Sequence, residues 1–62
     1  MKVRIKFKDP DVAWQIIKGA YPRSESKREA FSNEYFEHGE YGRIEIDTKT
    51  LVARLLPRRE WK

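Results

Sequence analysis

Glu34 and His38 stand four residues apart, a spacing that on a helix lets two side chains share a metal ion or pass a proton. Two groups do not complete a zinc site, nor a set of nucleophile, base and orienter. Ser24, Ser26 and Ser32 have no second histidine to activate them, and a chain without cysteine lacks the ligands of a structural zinc. A histidine near a helix C-terminus has a simpler role, because the helix dipole favours it there. The inventory therefore predicts a protein that is not an enzyme and that uses neither metal nor cofactor.

Binding chemistry is better represented. Lys2, Arg4, Lys6 and Lys8 alternate with Val3, Ile5 and Phe7, so on a strand the cations share one face and the apolar residues the other. Arg43 and Arg54 are expected on the same outer face, with Tyr41 beside them and Trp61 in the C-terminal tail. Aromatic rings among cations on an open sheet are how several single-strand nucleic-acid binders combine phosphate attraction with base stacking. Glu45 falls on that face too, no RNP-like pattern is present, and a lysine-rich strand also protects a sheet edge from aggregation. Val52 and Leu56 are expected to point outward as well. They form part of a partner interface, an apolar strip covered by the tail folding back, or both, since the two readings are not exclusive.

A third pattern is acidic: Glu25, Glu29, Glu34, Glu37 and Glu40 lie in and around the middle of the chain. Carboxylates in a row can imitate phosphates, but the net charge of +4 argues against a full DNA mimic, and a solvated face balancing Lys27 and Arg28 is the plainer reading. Charge is segmented along the chain. Residues 1–24 hold six bases and two acids, residues 25–47 three and seven, and residues 48–62 five and one. One cationic and one anionic side would orient the domain toward a charged partner.

These side chains need elements to hold them. After the opening strand, Asp9-Pro10-Asp11 is a helix start, with Asp9 as cap and Pro10 at the first helical position. Val12, Ala13, Ile16, Ile17, Ala20 and Tyr21 recur at spacings of three and four with Trp14 on one border, and Gly19 and Pro22 end that helix. Ser26 and Glu29 fit a capping box, with Ser24 as the rival cap. The second helix is expected to run to about His38, carrying Ala30, Phe31, Glu34, Tyr35 and His38 on one face, with Gly39 as its stop. Phe36 lies off that stripe and is either packed against a neighbour or exposed as a partner contact.

From Tyr41 the period returns to two. Tyr41 to Asp47 and Leu51 to Leu56 read as a hairpin joined at Thr48 and Lys49, or through a wider four-residue loop, with Gly42 loosening the first strand's entry. Pairing Ile46 with Leu51 sets Ile44 opposite Ala53 and gathers one apolar face. The expected fold is α+β: a two-layer βααββ domain with two helices on one face of a three-stranded antiparallel or mixed sheet. Strand order is not legible from these residues.

At 62 residues the chain makes one domain, and folding buries only about 60% of its unfolded surface. Such a thin core makes a homodimer an expected remedy. No apolar run reaches the roughly 18 residues of a membrane span and the N-terminus shows no signal-peptide h-region, so a cytoplasmic protein that does not enter membranes is expected.

The segments VRIKFKDPD, at Val3 to Asp11, and EHGEYGRIEIDT, at Glu37 to Thr48, resemble short uncharacterised proteins encoded by bacteriophages and prophages. Those proteins share an opening basic strand, an Asp-Pro-Asp helix start, a charged helical middle, a Gly-Glu-Tyr step and a closing hairpin. The helical middle is shorter here. The resemblance implies a phage setting in a bacterial host cell and, by association with small phage proteins of this kind, inhibition of host defence such as anti-CRISPR activity. The leading expectation is a non-catalytic binder of a host protein or nucleoprotein complex, with Tyr41, Arg43, Val52, Arg54, Leu56 and Trp61 as contacts. Lys2, Arg4, Lys6 and Lys8 would supply rim and steering charge. Single-stranded nucleic-acid binding on the same face and a structural homodimer are the alternatives.

Overall fold

The opening alternation forms strand β1 (Lys2–Lys8), and Asp9 turns the chain directly into helix α1 (Pro10–Ala20). Asp9 Oδ1 accepts the backbone N–H groups of Asp11 and Val12, both at 3.1 Å, while Pro10 occupies a position whose N–H would have had no partner. A computed structural model describes residues 1–61, and Lys62, the last residue of the expected tail, lies outside the described residues.

Helix α2 (Glu25–Tyr35) starts earlier and stops sooner than its stripe suggests. Ser24, the rival cap, holds its N-terminus by accepting the Lys27 N–H at 3.3 Å. At the other end Phe36 is extended, and its side chain turns into the core, which continuing the helix would have prevented. His38 and Gly39 follow with φ of 55° and 68°, and Glu40 N–H donates to the Glu37 carbonyl at 3.1 Å. Two successive left-handed residues closed by that bond make a primed turn, which delivers the chain into strand β2 (Tyr41–Asp47). His38 thus lies in a turn, and the helical pairing with Glu34 does not form.

Strand β2 is central. It pairs antiparallel with β1 on one side and with β3 (Val52–Leu55) on the other, in the order β1-β2-β3. The hairpin register differs from the expected one by two residues: Ile46 faces Ala53 and Ile44 faces Leu55. The connection is the wider loop. Asp47 Oδ1 accepts the N–H groups of Lys49 at 2.9 Å and Thr50 at 3.3 Å, Leu51 N–H donates to the Asp47 carbonyl at 2.8 Å, and Leu51 itself is left-handed at φ 60°. Because side chains alternate with period two, a two-residue shift leaves the side chains of β2 and β3 on their expected faces, while Leu51, expected opposite Ile46, falls in the loop.

Two helices pack against this three-stranded sheet in a two-layer α+β fold. Ala13 and Ile17 of α1 and Phe36 form the sealed centre, ringed by Phe7, Ile16, Phe31, Tyr35 and Leu55. Phe7 and Phe36 meet edge to face, with ring centroids 6.4 Å apart and planes at 76°. Both rings lie over Gly42, where a Cβ would come within 2.7 Å of Phe7 and 2.9 Å of Phe36; the glycine makes room for the rings rather than loosening a strand entry. Only one end of the inner sheet face is covered in this way. Val3 and Ile5, expected to anchor the sheet against both helices with Phe7, remain 39% and 44% exposed.

Candidate binding surface

The outer face follows from the register. Lys2, Asp47 and Val52 form one cross-strand row, Arg4, Glu45 and Arg54 the next, then Lys6 with Arg43, and finally Lys8 with Tyr41. Identical strand geometry gives these rows different chemistry, because Glu45 stands in the middle of the central strand and collects the cations around it.

Glu45 is only 6% exposed. Arg4 Nε donates to its Oε2 at 3.0 Å, Arg54 Nε donates to its Oε1 at 3.2 Å, and Lys2 Nζ lies 3.9 Å away. The Arg4 hydrogen bond holds the Glu45 carboxyl below the usual carboxylate range; burial opposes it, and Arg54 and Lys2 reinforce it. Arg54 also donates to Glu60 Oε1 at 3.0 Å and Arg4 to the Glu60 carbonyl at 3.2 Å. Three of the expected surface cations, Lys2, Arg4 and Arg54, are therefore gathered around Glu45, and Arg4 and Arg54 also fix the tail to the sheet.

That tail is structured. Pro57 leads into a single 3₁₀ turn, Arg58–Glu60. Arg59 pairs with Glu34 at 3.2 Å and Arg58 with Glu37 at 3.8 Å, so the basic tail neutralises the end of the acidic helix. Trp61 Nε1 donates to the Leu56 carbonyl at 3.1 Å. Leu56 is 0% exposed and stands apart from the helix-side cluster. As a contact residue it is corrected: of the two outward apolar side chains, Leu56 is buried and Val52 stays 60% exposed.

The remaining functional side chains converge at the other end of the face. Lys6, Lys8, Tyr41, Arg43 and Trp61 border a concavity of about 410 Å³, with Phe7 and Gly42 beneath and Glu37 on its wall. Arg43 holds its guanidinium carbon 5.0 Å from the centre of the Trp61 ring, and Lys8 Nζ lies 5.5 Å from that of Tyr41. Both distances are within cation–π reach. Lys6 enters no ion pair among the described residues. The hollow thus offers cationic heads and ring faces to a ligand that is anionic and flat, or to a partner side chain of that kind.

Of the residues expected to act together, Tyr41, Arg43 and Trp61 are assembled with Lys6 and Lys8. Val52 lies at the far end of the sheet, about 20 Å along the strand from Tyr41. The floor made by Phe7 and Gly42, and the pairing of Arg58 and Arg59 with α2, escaped the sequence reading. The second had a signal in the opposite charges of residues 25–47 and 48–62. No helix among the described residues is long and apolar enough to cross a membrane. Comparison with protein-family models, curated proteins and solved structures finds no match for this chain.

Proposed function

We propose that the chain is a small non-catalytic binding protein that engages a protein or nucleoprotein partner through the concavity bordered by Lys6, Lys8, Tyr41, Arg43 and Trp61. The carrying observation is the convergence of Trp, Tyr and Arg on one hollow, since these residue types dominate the binding energy of protein interfaces. Edge-to-face packing beneath and the Glu45 network beside it preorganise the hollow, which reduces the ordering cost of association. Resemblance to short phage-encoded proteins supports action on a host component in the bacterial cytoplasm, with interference in host defence as the biological reading.

A second reading, single-stranded DNA or RNA, draws on the same two cation–aromatic pairs. It is weaker, because a strand needs a continuous cationic track, and along this face Lys2, Arg4 and Arg54 are already paired with Glu45. Immobilised protein and a Tyr41→Ala/Arg43→Ala/Trp61→Ala variant should recover different partners from host lysate. Recovery of the same set would remove the hollow as the site. A labelled oligonucleotide titrated at low and moderate salt should show no binding to either form. Binding that falls steeply with salt and disappears in the variant would put nucleic acid first.

A further inference from the structure

We infer that the uncovered half of the inner sheet face is a self-association surface, and that its occupant is a second copy of this chain. The surface is centred on Val3, Ile5, Ile46 and Ala53, which lie side by side across the three strands, with Leu51 in the turn just before β3 at that end of the sheet. Every inward residue of the sheet is apolar or glycine, so this face carries no charge. The outer face is basic, and α2 is acidic. In a two-fold contact the same patch faces itself, so a face with an excess of one charge sign opposes like charge while this one does not. The two free edges are poor substitutes. β1 sends four cations outward along its length, and β3 has only four residues, one of them Arg54.

Areas point the same way. A compact monomer of 7.5 kDa exposes about 4,250 Å². This chain exposes 4849 Å². The excess of about 600 Å² approaches the roughly 800 Å² that each partner contributes to a standard interface. The radius of gyration, 12.0 Å, likewise exceeds the value of about 10.6 Å for a compact chain of this length. Stacking two open halves about 10 Å apart would remove that excess and lay each sheet beside the helices of the other copy. Leu51 adds an independent sign. It is 83% exposed at φ 60°, a conformation that glycine adopts without strain and a bulky side chain does not, so the side chain is kept at a local cost. Each copy would still present its outer hollow, so the dimer is bivalent and its formation is separable from partner binding at that hollow.

Sedimentation equilibrium from micromolar to millimolar protein should show twice 7.5 kDa for the wild type. A Val3→Lys/Ile5→Lys variant should be monomeric with a native far-UV circular dichroism spectrum. Leu51→Gly, which relieves the backbone, should raise the dimer dissociation constant on the order of tenfold or more while unfolding no more readily as a monomer. Should the double variant fail to fold, Leu51→Gly decides: an unchanged dissociation constant overturns the inference. A wild type that stays monomeric with a concentration-independent melting temperature also overturns it, leaving the face to a different protein, as does a dimer that survives the lysine substitutions.

Discussion

Gly42→Ala tests the packing that places the hollow. A methyl at this position would meet Phe7 Cζ at 2.7 Å, Phe36 Cε1 at 2.9 Å and Phe7 Cε1 at 3.0 Å. Carbon atoms rest at about 3.5–4.0 Å, so each ring would have to withdraw by roughly 0.5–1 Å. Phe36 has no free direction, being sealed between Phe7 and Phe31, whose ring centroids lie 6.4 and 6.5 Å from its own. Overpacking of this kind costs about 1–3 kcal/mol. Alanine also stiffens the unfolded chain, which offsets up to about 1 kcal/mol. Strain wins, and the net loss of about 1–2 kcal/mol should lower the melting temperature by about 5–15 °C. Urea titration at fixed protein concentration should show a lower midpoint with an unchanged slope. Adding Phe7→Leu, which vacates the tightest contact, should restore part of the loss. A Gly42→Ala protein as stable as the wild type would refute the claim that the two rings close over this glycine, and with it the account of the hollow's floor.

Two further outcomes follow from the outer face. Leu56→Ala should cost about 2–5 kcal/mol, a large part of the roughly 3–9 kcal/mol expected for a domain of this length, whereas Val52→Ala should stay within about 0.5 kcal/mol. Equal midpoints for the two variants in urea would mean that the tail does not cover Leu56. Acid should weaken the protein through Glu45, held low chiefly by Arg4, and through Asp47, held low chiefly by the Lys49 and Thr50 N–H groups. Folded carboxyls with lowered pKa bind fewer protons than the unfolded chain, so their contribution is complete above about pH 5 and fades as pH falls through the lowered values. Glu45→Gln should therefore flatten the acid side of the stability profile measured by urea titration from pH 6 to pH 2. An unaltered acid limb would place the protonation elsewhere.

Periodicity and capping residues act within a few neighbours along the chain, and they made most of the fold legible. The alternation of β1, the Asp9-Pro10 start of α1 and the parity of the hairpin all follow from local rules, and the two-residue error in register left that parity untouched. The end of α2 was not legible in the same way. Phe36 leaves the helix because a distant ring, Phe7, completes its burial, and no propensity within α2 records that contact.

The candidate site divides along the same line. Sequence alone determined which side chains face outward and that cations and aromatics share that face. Tertiary structure decided which of those cations are drawn to the buried Glu45. A buried carboxylate attracts whatever positive charge lies within reach, and Glu45 reaches Lys2, Arg4 and Arg54 only once three strands lie side by side. It also decided the fate of Leu56, buried when the tail turned back, and of Val3 and Ile5, left open because two short helices cover only one end of the sheet. Facing is set by a period of two within a strand; burial is set by what arrives from elsewhere in the chain.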